Sequence, residues 1–390
     1  MRILVLGGAR HVGSGIVSKL AASKMISNVV IGDGRKGKAE EAAARIGSNK
    51  VSAKLADVND SEALTSLMGD VDIVVNTVRP FYVHAPKVLS AAIEAKVDYV
   101  DVCDDYDATA DLLKLDKHAK DAGITALINM GLSPGLINVL AKYGADKLDQ
   151  VDEIRIAWAV PFLGGTGGAE EALHGFHELT GNVPQFVGGK WVDVPAGSGK
   201  ETIAFADGEA ECVYLGHPEA VTLPRYVNGV KVVTNKGGLM PFELMQDMIT
   251  LTELGFGSNE PIRTRKDAYA VPREVALAVH SRYLEEKGFK DSGKPWGGAR
   301  VDVKGKKAST SVCYTYTSPP GASWMLDVDG ESAAISAASV ILMLARKDIK
   351  GKGVIAPEGC IEPKTFLSEL RKAGIEICET ESVNRKLERF

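Results

Sequence analysis

The stretch Ile3–Gly13, ILVLGGARHVG, constrains this chain more than any other. Four consecutive apolar residues, Ile3 to Leu6, suit a strand buried on both faces. Gly7 and Gly8 follow at once. Val12, Ile16 and Leu20 then recur at helical spacing, with Val17 and Ala21 widening the same face. Strand, glycine loop and helix in this order aim unpaired backbone N–H groups and the positive end of the helix dipole at a phosphate. A strict G-x-G-x-x-G cannot be laid on the loop, because Gly7 and Gly13 stand six apart. The longer G-x-x-G-x-x-G spacing fits, with Arg10 in place of the middle glycine. Gly7, Gly8, Ala9, Arg10, His11, Val12 and Gly13 are the candidate cofactor loop. From these residues alone, a glycine-rich turn without a ligand is the competing reading.

The second strand, Asn28 to Ile31, ends in Gly32-Asp33. Asp33 stands twenty residues after Gly13, the spacing of an acid that hydrogen-bonds an adenosine ribose. Its carboxylate repels the 2′-phosphate of NADP and favours NAD. Arg35, Lys36 and Lys38 attract that phosphate, so NADP stays open; Gly34 and Arg35 complete this edge of the site. The run Gly32 to Ala39 approaches the phosphate loop of nucleoside triphosphatases, but Ala39 stands where a magnesium-binding Ser or Thr is needed.

Strands at Val51–Leu55, Asp72–Asn76, Tyr99–Cys103 and Thr125–Asn129 alternate with helices such as Ser61–Met68 and His84–Lys96. This predicts an α/β Rossmann domain with a doubly wound parallel sheet. Ligands of such sheets lie past the carboxyl ends of the strands. That rule puts Asp57 and Val58 beside the adenine, and Asn76, Thr77 and Val78 beside the nicotinamide ribose. Asp101 and Asp104, at the fifth strand's end, are candidate catalytic acids. Cys103 between them is disfavoured as a nucleophile, because negative neighbours raise a thiol pKa. Arg79 suits bidentate capture of a substrate carboxylate, with Tyr82 beside it, in competition with a plain salt bridge to a nearby acid.

Past residue 150 the pattern changes. A strand at Val151–Val160 and a helix at Glu170–Leu179 precede strand pairs that flank Gly188-Gly189, Asn228-Gly229 and Gly305, the signature of a mixed or antiparallel sheet in a second α+β domain. The expected organisation is a dinucleotide-binding domain over 1–129, a substrate-binding and dimerisation domain over 130–330, and a C-terminal segment over 331–390. His174 and His177 share one face of the predicted helix and are candidate general bases, with half-buried helix histidines as the bland alternative. Their spacing matches no zinc motif and no metal is expected. Lys236, beside two glycines in TNKGGL, and Thr234 are candidates on the substrate side; an ordinary turn lysine competes.

The chain's 390 residues exceed one domain, and its net charge of −5 argues against nucleic acid or an anionic membrane as partner. No apolar window is long enough to span a bilayer and no secretory signal pattern is visible. The five cysteines are widely spaced without a C-x-x-C pair, as expected of free thiols in a reducing cytoplasm.

Three segments together resemble the saccharopine dehydrogenase family, which includes lysine 6-dehydrogenase and carboxynorspermidine dehydrogenase. They are GGARHVG, the stretch VNTVRPFYVHAPKVLSAAIEAKVDYVDV from Val75 to Val102, and AKDAGITALINMGLSPGL from Ala119 to Leu136. The turn Gly131-Leu-Ser-Pro-Gly135 after the sixth strand is the most specific mark, and the likeness runs on to GKGVIAPEGCIEP near 351–363. Arg10 and Arg79 depart from the family's pattern. The resemblance implies hydride transfer between NAD or NADP and the C–N bond of an amino acid or opine-like secondary amine, with Gly131 near the substrate. It also implies a homodimer and a C-terminal segment packed back on the nucleotide domain. Two other classes remain: a non-catalytic dinucleotide-binding redox sensor, and a reductase of C=C or C=O bonds. The latter is weakened because no Tyr-x-x-x-Lys follows the fourth or fifth strand.

Overall fold

The computed structural model describes residues 1–161, 168–287, 295–322 and 330–384. Strand β1 (Arg2–Leu6) buries Ile3, Leu4, Val5 and Leu6 completely, as a continuous apolar run in a central strand must. The alternation then runs through α1 (His11–Ala22), β2 (Asn28–Asp33), α2 (Lys36–Ile46), β3 (Val51–Leu55), α3 (Ser61–Met68), β4 (Ile73–Asn76), α4 (Phe81–Ala95), β5 (Asp98–Asp101), α5 (Tyr106–Lys114), α6 (Asp116–Ala122) and β6 (Thr125–Leu127). All pairings are parallel, in the order β3-β2-β1-β4-β5-β6. The direction of winding reverses between β1 and β4, where a ligand crevice belongs. Register brings Leu6 level with Gly32 on one side and Asn76 on the other, so three strand ends border that crevice together.

The second half contains α7 (Leu136–Ala145), β7 (Gln150–Pro161), α8 (Gly168–Glu178), β8 (Asn182–Val187), β9 (Lys190–Pro195), β10 (Glu201–Ala204), β11 (Glu209–Tyr214), α9 (Glu219–Tyr226), β12 (Val232–Met240) and α10 (Phe242–Glu253). After the small pair β13 (Ile262–Arg263) and β14 (Tyr269–Ala270) come α11 (Pro272–Lys287), β15 (Gly298–Lys307) and β16 (Thr310–Thr317). The chain closes with α12 (Glu331–Ala345), β17 (Gly353–Ile355), α13 (Pro357–Cys360), α14 (Pro363–Lys372) and β18 (Cys378–Asn384). A nine-stranded mixed sheet runs β10-β11-β12-β7-β15-β16-β18, with β8 attached to β12 and β9 to β8; β12 and β7 are parallel and the other pairs antiparallel.

Two compact units result, 1–143 with 329–376 and 144–328 with 377–390. The first extends past the expected boundary at 129, because the Met130 N–H bonds the Asp101 carbonyl and the chain passes straight into α7. The segment expected over 331–390 divides. Helix α12 lies against α1, where Ala334 fills the space in front of Gly15, and β17 adds a seventh parallel strand beside β6. Strand β18, although exposed, pairs along its length with β16 in the second sheet. The sixth strand is shorter than expected, since Asn129 adopts φ 61° and leaves the extended region. The hairpin expected at Asn228-Gly229 is absent: Tyr226 ends α9, a helix that buries Ala220, Val221 and Leu223, and Gly229 at φ 80° turns the chain from helix into β12. The hairpin at Gly188-Gly189 forms as the pattern predicts. β15 and β16 also pair as a hairpin, but its turn falls at Ala308-Ser309, and Gly305 lies within β15 opposite Val312.

Candidate active site

The glycine loop closes on itself so tightly that side chains are excluded. A Cβ at Gly13 would lie 2.5 Å from the Gly7 carbonyl oxygen and 2.8 Å from Gly8 Cα; one at Gly7, where φ is 76°, would lie 2.7 Å from Thr77 Oγ1. Thr77 braces the loop from β4: its N–H and hydroxyl both donate to the Leu6 carbonyl, at 3.0 and 2.8 Å. The first bond of α1 runs from the Ser14 N–H to the Arg10 carbonyl at 2.6 Å, and Arg10 makes no side-chain cap. The helix thus starts without a side-chain cap from Arg10, and the first-turn N–H groups of His11, Val12 and Gly13 are those a dinucleotide pyrophosphate would meet. Residues and geometry fit that group.

Beside the loop, a crevice of about 240 Å³ is lined by Leu6, Gly7, Arg10, Gly32, Asp33, Gly34, Arg35, Ala56, Asp57, Val58, Asn59, Val78, Arg79 and His84. Of the predicted cofactor residues it gathers Gly7, Arg10, Asp33, Gly34, Arg35, Asp57, Val58 and Val78. Gly8 and Asn76 are instead buried around it: Asn76 donates from Nδ2 to the Tyr99 hydroxyl at 3.2 Å and accepts the Val78 N–H at 3.0 Å. Asp33 is buried at the end of β2, where its Oδ1 accepts the Arg35 N–H at 3.0 Å. Burial, and Arg35 beside it, hold the Arg10 guanidinium below its ordinary pKa, so an anion entering this crevice relieves the repulsion between two cations. Ala56, Asn59 and His84 are the lining residues that sequence reasoning missed. His84 lies on the first turn of α4, one turn after the strand-end residues that were identified, and burial pushes its imidazole toward the neutral form.

Asp101 is completely buried and fully engaged. Its Oδ1 accepts the N–H groups of Asn129 (2.7 Å) and Cys103 (3.0 Å), and its Oδ2 accepts the Tyr99 hydroxyl at 2.9 Å. Burial pushes this carboxyl up to about 6, against the opposing pull of those bonds. Asp101 thus ties β5 to the chain leaving β6. Asp104 is bound to Arg79 at 2.5 Å, and Arg79 also lies over the Phe81 ring. The Tyr82 N–H donates to Asp105 at 2.9 Å. Burial, followed by Asp101, raises the Cys103 thiol well above its ordinary value, in keeping with an inert buried cysteine. Gly131 opens a turn in which its N–H bonds the Pro134 carbonyl at 2.9 Å; Gly135, at φ 125°, leaves no room for a Cβ against the Gly131 carbonyl.

In the second unit, α8 sets His174 and Glu178 one turn apart, with His174 Nε2 3.0 Å from Glu178 Oε1. His217 reaches the same oxygen at 3.4 Å through Nε2, while its Nδ1 lies 2.5 Å from Oε2 of the completely buried Glu219. The Gly216 N–H, donating to the Glu178 carbonyl at 3.1 Å, holds the two segments together. The Trp158 ring stands 5.9 Å from that of His217. His174, Glu178 and His217 present atoms within 4.8 Å of one another, a set able to hold a cation; His177 is not part of it. His217, Glu219 and Trp158 were missed, because only the tertiary fold joins the HPE triplet at 217–219 to a helix far earlier in the sequence.

Lys236 and Thr234 do not join this cluster. They line a cavity of about 450 Å³ on the other face of the sheet, with Arg155, Glu201, Arg300 and Asp302. There Lys236 Nζ donates to the Gly199 carbonyl (2.6 Å) and to Glu201 (2.7 Å), and lies over the Tyr214 ring. A strand's period of two separates them from the histidines.

Residues 3–127 match the family profile of the saccharopine dehydrogenase NADP binding domain. The chain is 27% identical over 258 residues to the carboxynorspermidine synthase of Vibrio cholerae, covering 60% of this chain and 59% of that protein. It is 22% identical over 408 residues to the carboxyaminopropylagmatine dehydrogenase of Synechocystis, covering 96% of each. Among solved structures, apo saccharopine dehydrogenase (L-Glu forming) from Saccharomyces cerevisiae superposes with a TM-score of 0.72 over 98% of this chain and 99% of that one. At 18% identity, that superposition establishes a common fold.

Proposed function

We propose that this chain, whose residues 3–127 match the saccharopine dehydrogenase NADP binding domain, is an NAD(P)-dependent dehydrogenase acting on the C–N bond of an amino-acid or polyamine-like secondary amine, as the names of its relatives suggest. The observation that carries this reading is the presence on one chain of an uncapped, glycine-built dinucleotide loop and a buried cluster of two carboxylates and two imidazoles.

The first-turn N–H groups of α1 would hold the cofactor's pyrophosphate, Asp33 the adenosine ribose, and Arg10 and Arg35 any further phosphate. When bound, the nicotinamide supplies the chemistry of the reaction by exchanging a hydride with the substrate carbon. Everything else falls to side chains. Glu178 and Glu219 supply negative charge for a cationic amine, and the Trp158 ring offers it an aromatic face. Glu219, 2.5 Å from His217 Nδ1, fixes the orientation of that ring, whose Nε2 lies 3.4 Å from Glu178 Oε1. His174 is the proposed general base that takes the amine proton, a step of the kind that contributes about 10²–10⁴-fold. Asp101, with its oxygens fully engaged, positions strand ends, and Lys236, bound to Glu201, is left out of the chemistry.

Spectrophotometric screening of NAD and NADP reduction with lysine, saccharopine, carboxynorspermidine and carboxyaminopropylagmatine tests the reading. Turnover of one of these is expected; cofactor binding with silence across all of them would leave the redox-sensor reading in its place. A cytoplasmic setting is supported by free thiols at Cys103, Cys212, Cys313, Cys360 and Cys378. A homodimer rests on the family resemblance and is tested by analytical ultracentrifugation.

A further inference from the structure

We propose that Asn235 is the residue of the second unit that recognises the polar head of the amine substrate, an α-amino-acid group carrying both ammonium and carboxylate. The inference rests on the amine-dehydrogenase reading and assigns a residue that the sequence pattern passed over in favour of its neighbours Thr234 and Lys236. Asn235 is completely buried in β12, yet neither its side-chain Nδ2 nor its Oδ1 has a hydrogen-bond partner. The indole Nε1–H of Trp158 is likewise buried and unbonded. The two residues share one face of adjacent strands, since β12 and β7 pair in parallel with Asn235 opposite Ile156 and Gly237 opposite Trp158.

The packing of that face depends on a glycine. A Cβ at Gly237 would overlap the Trp158 ring and Leu215, so glycine is what lets the indole lie beside Asn235. Asn235 itself is fixed in place: its backbone N–H donates to Oε1 of the completely buried Gln185 at 2.9 Å, and Gln185 Nε2 donates to the Leu215 carbonyl at 3.3 Å. Leu215 leads through Gly216 to His217, and Gly216 is bonded to Glu178. The unbonded amide thus belongs to the same framework as the imidazole–carboxylate cluster.

Each unpaired polar atom in such a place is unfavourable by roughly 1–3 kcal/mol, so three of them on one face call for a ligand with matching groups. Two kinds of donor, the Asn235 amide and the Trp158 indole, suit a carboxylate. The Asn235 carbonyl suits an ammonium. An amino-acid head carries both, and an apolar ligand carries neither.

The test is Asn235→Leu, which keeps the volume and removes the amide. Measured by thermal unfolding, by titration with free L-lysine and L-glutamate, and by steady-state oxidation of the amine that the wild type accepts, the variant should unfold at a higher temperature than the wild type. It should bind the amino acids at least tenfold more weakly and show a correspondingly higher KM, with kcat within a few-fold and cofactor affinity unchanged. Trp158→Phe, which keeps the ring and loses the N–H, should weaken the same binding several-fold. If the leucine variant does not fold, Asn235→Ser carries the same binding readout. A lower unfolding temperature with unchanged amino-acid affinity would mean that a structural water satisfies Asn235, and would overturn the proposal. A wild type that binds the amino acids through Asn235 but oxidises no amine leaves this inference standing and removes the dehydrogenase reading. An active wild type whose KM ignores Asn235 does the reverse.

Discussion

At the end of β1 the chain builds its cofactor site from backbone, with glycines and helix N–H groups that lie within a few residues of one another. The cluster around Glu178 is built from side chains drawn from β7, α8 and the segment leading into α9. In the first case the chain must leave space, because anything larger than hydrogen at Gly13 meets the Gly7 carbonyl at 2.5 Å. In the second it must fill space with groups of matched charge and hold each with a partner, as Glu219 holds His217. The lesson is that a site made of main chain fails through added atoms, whereas a site made of side chains fails through altered protonation.

The largest effect should come from adding atoms to the loop. Gly13→Val is expected to weaken NAD(P) binding by at least about a thousandfold, on the order of 4 kcal/mol, while the second unit still binds the amine or amino acid. Calorimetric titration with each ligand separately reads both sites. Cofactor affinity within threefold of wild type would show that the pyrophosphate is bound elsewhere. The opposite perturbation is Glu219→Gln, which preserves shape and removes the charge beneath His217. Here kcat should fall on the order of a hundredfold with cofactor affinity untouched, because the imidazole loses both its fixed orientation and the group that stabilises its protonated form. Equal losses in kcat and cofactor binding would erase the distinction between the two regions.

The same contrast explains what could be read in advance. Ile3–Gly13 and Asp33 announced the crevice because a backbone site is encoded over short, fixed spacings. The parallel sheet followed from continuous apolar strands, and only its seventh member, Gly353–Ile355, joins from far along the chain. The second site was half legible. His174 stood out as a helix histidine, but its partners His217 and Glu219 meet it only through tertiary packing. Lys236 and Thr234 flank Asn235 on the same strand but present the opposite face, since a one-residue step along β12 exchanges one side of the sheet for the other. Asn228-Gly229 misled in a similar way: a left-handed Gly229 serves a helix-to-strand turn as well as it serves a hairpin.

A smaller effect tests the network beneath the crevice. The Asp101 carboxyl is raised from its ordinary 3.8 to about 6 by burial, so its ionised form opposes folding. This penalty is absent below about pH 4, where the group is protonated in both states. It grows as pH rises and is complete above about pH 6, reaching roughly 3 kcal/mol for a shift of about two units. In Asp101→Asn the side-chain oxygen still accepts the Asn129 and Cys103 N–H groups, and the titration is gone. The variant's stability relative to wild type, from denaturant unfolding, should therefore improve by up to that amount between pH 4 and 7. A difference independent of pH would show that the Asp101 carboxyl is not shifted.

The finest distinction is between the two cofactors, and it sets one side chain against the cationic rim around it. Asp33 accepts from the Arg35 backbone while the guanidinium lies 3.8 Å from the same carboxylate oxygen, so charge at this edge is already partly balanced. Arg10, lowered in pKa with Arg35 beside it, adds a second cation to the same crevice. Removing the carboxylate in Asp33→Ser leaves both guanidiniums facing the ribose without a competing negative charge. NAD then loses the acceptor for its ribose hydroxyls, while the 2′-phosphate of NADP loses a repulsive neighbour and keeps two attractive ones. The ratio of NADP to NAD affinity should rise about tenfold, equivalent to roughly 1.4 kcal/mol, and should fall back when Arg35→Ala is added. A ratio that ignores Asp33 but responds to Arg35 would assign cofactor choice to the cations alone, and the carboxylate would then act on the loop through the Arg35 N–H.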